Sequence, residues 1–368
     1  MITNYNNNNK ITIRQAMIMY IVACLSPATR LFPAMCARLG GRAGWVGVPL
    51  GAAAIAALAG VFALIFKNAE TGPRCLSDAL TRAFGAVLGR VIIGVYFIWT
   101  ALLFTLHIRY YAERMLATIF TTADIRFFML TMLPLVYMAV RGRLEVFARF
   151  SEISALLFTI VLLALALCLL PAFDPANILP VTHMDALPAL KSSVPPLSTF
   201  GYMTLFFFLG EQISNKRDAG GQGRRAALYL GIMLTLVTVI CIGTLSPSVA
   251  ERMPRPFFSS TKLITVLQPL DRFEALLLSE WVISDFIIIT AFALILISTS
   301  KRLFGVSRTP KLAAPVVFLG FVGGIFIAAD RFELEMFSYS VFALATNTAL
   351  GFGVPILTLI TGKLRKTI

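Results

Sequence analysis

The chain has 368 residues, of which 58% are hydrophobic and only 14% are charged. Soluble domains carry about 25% charged and 45–50% apolar residues, so this composition excludes a soluble enzyme, a disordered regulator and a disulfide scaffold. The net charge of +14 arises from cations in short segments between apolar runs. We interpret it as a topology signal facing anionic lipid, since nucleic-acid binding requires a basic face on a soluble fold.

Ten apolar runs approach or exceed the roughly 20 residues needed to cross a bilayer. They lie at 13–37, 43–66, 87–119, 125–140, 148–170, 195–213, 226–246, 273–300, 311–329 and 334–361. We therefore predict an all-α integral membrane protein with about ten transmembrane helices. A single transmembrane domain, 13–361, follows a polar tail at 1–12 and precedes a basic tail at 362–368.

The distribution of basic residues predicts the orientation of the chain. With the N-terminus placed in the cytoplasm, 20 of the 32 Lys and Arg residues fall in inside segments and nine in outside loops. Cytoplasmic loops are enriched in Lys and Arg, so both termini are predicted to be cytoplasmic. An even number of spans agrees with this orientation.

The first span contains Pro27 and Pro33, with the charged Arg30 between them. Proline removes a backbone donor, and a broken helix persists in a membrane only where its freed groups line a cavity or meet protein. We predict a broken helix in which Pro27 has a structural role and Arg30 binds ligand or closes an outer gate. The other candidate ligand-binding residues here are Ser26, Ala28 and Thr29. The alternative is a simple kink with Arg30 snorkelling to the surface.

The sixth span is interrupted by small and polar residues near its predicted outer half. Ser198, Thr199, Gly201 and the adjacent Tyr202 are candidate ligand-binding residues, and Glu211 at the end of the span is a candidate gating residue. The alternative is that the small residues serve helix packing alone.

The two interrupted spans occupy matching positions in the predicted topology. Spans one and six begin two five-helix halves of opposite orientation, at about 13–170 and 195–361. Interrupted segments at corresponding positions of an inverted repeat point to a transporter-type binding site. The predicted fold is thus an inverted 5+5 repeat with broken helices one and six.

The third and eighth spans supply further polar candidates. Charged groups inside a span are costly unless they face the bundle interior, so Asp285 is predicted to serve ligand or proton chemistry. Glu274, near the outer rim, is predicted to be structural or gating, and Trp281 lies on the same helical stripe. In the third span the candidate ligand-binding residues are Tyr96, Trp99 and Thr100, for which core packing is the alternative.

No metal, cofactor or catalytic site is predicted. The five cysteines form no CxxC pair, and His107 and His183 stand too far from other ligands to suggest a metal. Nucleotide-binding and hydrolase motifs are missing from the sequence, so we expect neither an enzyme nor ATP coupling.

A series of short motifs, in order and spacing, resembles the spore germination permeases, the B-type membrane subunits of nutrient germinant receptors. The matching residues are Lys10–Gln15, Gly44 with Trp45, Arg143–Arg149 with Glu152, Asn177–Val181 with Leu187–Lys191, and Asp271–Ala275 with Trp281 and Phe286. The sequence departs from the family pattern at Ser26–Arg30, where an uncharged stretch with glycine is expected, and at Glu211.

The resemblance implies a fold of the amino acid–polyamine–organocation transporter superfamily, related to the LeuT architecture. It also implies a location in the inner spore membrane, a complex with A-type and lipoprotein C-type subunits, and the sensing of a nutrient such as an amino acid. Two alternatives remain open: an active secondary transporter of amino acids or cations, and an ion-conducting subunit gated by its partners.

Overall fold

The computed structural model describes residues 10–67, 72–118, 123–264, 273–306, 309–338 and 340–367. Its longer helices are α1 Ile13–Gly40, α2 Gly47–Ile65, α3 Leu76–Phe84, α4 Ala86–Thr118, α5 Ile125–Arg141 and α6 Leu144–Leu169 in the first part of the chain. Short helices α7 Ala186–Lys191, α8 Val194–Phe200 and α9 Met203–Phe206 precede α10 Ala219–Leu245, α11 Pro247–Ala250 and α12 Pro256–Thr261. The last helices are α13 Phe273–Phe304, α14 Ala313–Phe326, α15 Arg331–Ser338, α16 Val341–Thr348 and α17 Val354–Leu364.

A helical segment coincides with each predicted span. By length and composition, six helical stretches among the described residues could cross a membrane, or seven if α14 and α15, bent by 107°, form one span. The first of these stretches, Ile13–Ile65, includes both α1 and α2. Helices dominate because a chain in lipid must satisfy its backbone hydrogen bonds internally.

Helix α1 lies at the centre of the bundle and is buried over most of its length. It starts with a capping box, in which the Thr12 hydroxyl accepts from the Gln15 amide and the Gln15 side chain accepts from the Thr12 amide. It ends at Gly41, whose φ of 53° favours glycine. The following turn packs back on α1 so closely that a Cβ on Gly44 would lie 2.1 Å from the Cys36 carbonyl oxygen.

The predicted break in the first span takes a different form in the structure. Helix α1 stays helical through Pro27. What changes near Pro27 is the hydrogen bonding of the helix, not its path. Ser284 Oγ accepts from the Ser26 amide at 3.0 Å and donates to the Val22 carbonyl at 2.5 Å. A side chain inserted into the i→i−4 ladder satisfies the opened groups, so the chain has no need to unwind.

The predicted interruption of the sixth span is confirmed. Helices α8 and α9 are separated by Gly201 and Tyr202, and a 3₁₀ turn at Phe207–Gln212 completes the span. In the tenth span, a π-helical segment, Ala349–Gly353, separates α16 from α17. The two irregular segments touch, since a Cβ on Gly351 would lie 2.6 Å from the Gly201 Cα.

Side chains from neighbouring helices complete the hydrogen bonding of the π segment. The Thr204 hydroxyl donates to the Gly351 carbonyl at 2.5 Å, and the Tyr96 hydroxyl donates to the Leu350 carbonyl at 2.5 Å. Tyr96, predicted to face ligand, is therefore committed to the backbone of the tenth span. These bonds fix the sixth and third spans against the tenth.

At the end of the bundle where the chain starts, strand β1, Ile11–Thr12, pairs in parallel with strand β2, Ile213–Ser214. Glu211, just before β2, forms salt bridges with Lys301 at 3.1 Å and with Arg302. We call this the N-terminal end of the bundle. The strand pairing ties the start of α1 to the end of the sixth span. The salt bridges of Glu211 tie that end to α13.

We predict that Gly351→Ala lowers stability by about 1–3 kcal/mol, because the new methyl group would overlap the Gly201 backbone. The melting temperature of the purified protein in detergent measures the effect. Gly353→Ala is the matched control, since a Cβ there meets nothing within 4 Å, and should leave the melting temperature unchanged or slightly higher. Equal melting temperatures for the two variants would contradict the close packing of the sixth and tenth spans.

Candidate functional site

A cavity lies beside the break in the sixth span, between α1, α4, α8, α15 and α16. Six of the residues predicted for the site line it: Pro27, Arg30, Trp99, Ser198, Thr199 and Tyr202. The structure thus brings together candidates from the first, third and sixth spans. The lining residues that the sequence reasoning missed include His107, Tyr110 and Asn347.

The cavity is closed in this structure. Its volume of about 40 Å³ accommodates only a few water molecules, since one water needs at least about 10–15 Å³ measured in this way. Apolar side chains such as Leu103, Leu106 and Leu344 line it together with the polar groups. A ligand of amino-acid size therefore requires movement of the surrounding helices.

A chain of hydrogen bonds crosses the wall of the cavity and joins three spans. The Trp99 indole donates to Asn347 Oδ1 at 2.8 Å, and Asn347 Nδ2 donates to Ser198 Oγ at 3.0 Å. Asn347 thereby links the third span to the sixth. The sequence could have pointed to Asn347, because it is the one asparagine in the apolar run of the last predicted span.

His107 lies on α4 at the floor of the cavity. Its Nδ1 is 2.8 Å from the Leu103 carbonyl oxygen, so this nitrogen is the protonated donor, and the ring stands at 72° to that of Tyr202, with centroids 6.1 Å apart. Nδ1 is thus already occupied by its own helix. The sequence interpretation considered this histidine only as a metal ligand.

Arg30 turns into the protein, contrary to the alternative in which it snorkels to the surface. Its side chain is 7% exposed, and the guanidinium carbon lies 3.6 Å from the centroid of the Tyr110 ring. A guanidinium stacked on an aromatic face in this way gains a cation–π interaction. The predicted pairing with Glu274 cannot be followed, because the Glu274 side chain lies outside the described residues.

Asp285 is committed to a buried ion pair and does not line the cavity. One carboxylate oxygen lies 2.8 Å from Arg114 Nη1, and the other accepts from the Ser26 hydroxyl at 2.7 Å. Both charged side chains are at most 3% exposed. Ser26, predicted to bind ligand, thus belongs to this pair, which joins α1, α4 and α13. The sequence interpretation assigned no role to Arg114.

The remaining predicted site residues have structural positions. The Trp281 indole donates to the Thr29 hydroxyl at 2.9 Å, so these two candidates bind each other across α13 and α1. Ala28 and Thr100 are fully buried and line none of the described cavities near the break. Gly201 lies at the break between α8 and α9 and contacts the tenth span.

We predict that Asp285→Asn destabilises the protein by about 3–5 kcal/mol, because it leaves the Arg114 charge buried without its counter-charge. Melting temperature in detergent is the measurement. The control is Glu145→Gln, which removes an acid from exposed pairs with Arg143 and Arg149 worth about 0–1 kcal/mol.

The double variant Arg114→Met with Asp285→Leu should recover most of the lost stability, because it removes both charges together. A melting temperature of Asp285→Asn equal to that of Glu145→Gln would show that the buried pair does not hold the helices together.

Comparison with known proteins identifies the family. A family model described as "Spore germination protein" matches residues 10–330. Spore germination protein KB of Bacillus subtilis (strain 168) is 23% identical over 312 residues, which cover 83% of this chain and 82% of that protein.

Among solved structures, the crystal structure of MhsT in complex with L-phenylalanine matches with a TM-score of 0.64. The match covers 98% of this chain and 100% of that chain at 14% sequence identity, so it shows the fold and nothing more. MhsT is a transporter of the LeuT fold, which confirms the predicted LeuT-like architecture. The chain therefore belongs to the spore germination protein family and is a multi-pass membrane protein built on the LeuT fold.

Proposed function

We propose that this protein is the membrane subunit of a spore germinant receptor, which binds a small nutrient, an amino acid, in the cavity between α1, α4, α8 and α16. The observation that carries the proposal is the position of this cavity at the break in the sixth span, with a buried arginine at its edge. Membership of the spore germination family supports the receptor role. The LeuT-type fold, whose solved relative holds L-phenylalanine, supports the ligand class.

The chemistry of the lining suits a free amino acid. Ligand sites combine apolar and aromatic walls with a few polar groups that orient the ligand. Trp99, Tyr202 and Leu344 supply the apolar wall, and Ser198 supplies a hydroxyl. The planar guanidinium of Arg30 matches a carboxylate in geometry and charge.

The buried ion pair favours sensing over transport. A proton-coupled transporter needs an acid that takes up and releases a proton during each cycle. Asp285, the acid that the sequence offered for this task, is already neutralised by Arg114 and bonded to Ser26. Using it as a carrier would require breaking a buried pair in every cycle.

The charge at the N-terminal end of the bundle fits the proposed orientation. Five cations line a cavity of about 1040 Å³ there: Lys10, Arg74, Lys216, Arg217 and Lys301. Cytoplasmic segments of membrane proteins are enriched in such residues. We therefore place this end in the cytoplasm. Membership of the spore germination family supports a location in the inner spore membrane and a complex with A-type and lipoprotein C-type subunits.

Ligand binding and uptake by the purified chain together test the proposal. The twenty common L-amino acids are screened for a saturable rise in melting temperature, and those that bind are tested for uptake into proteoliposomes. Saturable binding without uptake supports the receptor. Uptake coupled to an ion or proton gradient would instead establish the secondary transporter, and gradient-driven ion current without ligand uptake the ion-conducting subunit.

We predict that Leu344→Trp abolishes the germination response to the nutrient and the ligand-induced rise in melting temperature, because the indole would fill the cavity. Spores that carry the variant as their only copy are scored for loss of refractility after nutrient addition. Leu357→Trp is the matched control, since Leu357 is 53% exposed on the same span and should respond normally. An unchanged dose–response in Leu344→Trp would place the ligand elsewhere.

A further inference from the structure

We propose that Arg30 and Arg255 form a binding site for a small inorganic anion of halide size, next to the nutrient cavity, with which it shares Arg30 and Tyr110. The site is a pocket at the end of the bundle opposite the N-terminal end, between α1, α4, α15 and the connection that precedes α12. Arg30, Tyr110, Arg114 and Arg255 line it, together with the pair Arg331 and Glu335.

The charges around the pocket are unequal. Four guanidiniums but only two carboxylates, those of Glu113 and Glu335, line it. Both carboxylates already have partners, since Glu113 lies 2.9 Å from Arg109 and Glu335 lies 2.8 Å from Arg331.

Two guanidiniums have no counter-charge among the residues that the structure describes. Arg114 is neutralised by Asp285, whereas Arg30 and Arg255 make no salt bridge within the part of the chain that the structure describes. Arg30 is 7% exposed and Arg255 is partly buried, so an opposite charge between them would be favourable and the pocket should attract an anion.

Both guanidiniums line this pocket, and each contains a buried donor atom. The Nε of Arg30 and an Nη of Arg255 are shielded from solvent and have no hydrogen-bond acceptor among the described residues. Arg30 is 7% exposed and held in place by the Tyr110 ring, so it cannot readily swing out to water. An anion between the two side chains would satisfy both donors with charge-assisted hydrogen bonds.

The electrostatics of the connection agree with a positive site. Burial, followed by the charges of Arg331, Arg114 and Arg30, lowers the pKa of Arg255 to about 10. Each of these cations raises the positive potential that Arg255 experiences. A bound anion would reverse the effect.

The size of the pocket selects the type of anion. Its volume of about 20 Å³ is close to that occupied by one water molecule. A halide ion is of comparable size.

The test uses the full-length chain in detergent, with no nutrient present. Melting temperature is recorded as sodium bromide replaces sodium isethionate at constant ionic strength. We expect a saturable rise in the wild-type protein. In Arg255→Gln the half-saturating bromide concentration should increase about tenfold or more, because a charge-assisted hydrogen bond is lost. Arg252→Gln is the control, since its side chain is 82% exposed three residues away, and should match the wild type.

Crystals grown with bromide provide a second measurement that does not depend on the folding of a variant. We expect an anomalous peak between the guanidiniums of Arg30 and Arg255. The absence of both the peak and a saturable effect would overturn the proposal, as would an equal loss of bromide sensitivity in Arg252→Gln. Stabilisation by formate but not by bromide would also overturn it, and would assign the site to the carboxylate of a ligand.

Discussion

A single buried ion pair constrains the centre of this protein. Arg114 of α4 and Asp285 of α13 meet at 2.8 Å, with the Ser26 hydroxyl of α1 bonded to both. In a medium without water, neither charge tolerates separation from the other. Three helices that are distant in the sequence are therefore held at one point, and displacing any of them exposes a charge.

The residue next to Asp285 determines the conformation of α1 at the same point. Ser284 bridges the Val22 carbonyl and the Ser26 amide, and the remaining turns around Pro27 stay helical. The first span is thus opened by a side chain from α13 while its axis is kept. The ion pair and the bridging serine act together, because both depend on the same register between α1 and α13.

The fold was more predictable than the site. Hydrophobic run length located the spans, and the small residues around Gly201 located the break in the sixth span, because both signals are local in sequence. Side-chain contacts between distant spans gave no such local signal in the sequence. Asn347 and Arg114 acquire their roles from side chains at least 88 residues away in the sequence. The prolines of α1 gave no indication that Ser284 would bridge the helix.

A ligand of amino-acid size requires a wider cavity than the one between α1, α4, α8 and α16. A ligand shifts a conformational equilibrium only by as much as it binds one state better than the other. Widening the cavity requires either separation of the hydrogen-bonded residues Trp99, Asn347 and Ser198 or movement of α1 against α13. Either change breaks buried hydrogen bonds. The contact between Gly201 and Gly351 offers the less costly path, because the α8–α9 junction and the π segment are already irregular. Movement of the sixth span against the tenth would then transmit the change to Glu211 and β2 at the N-terminal end.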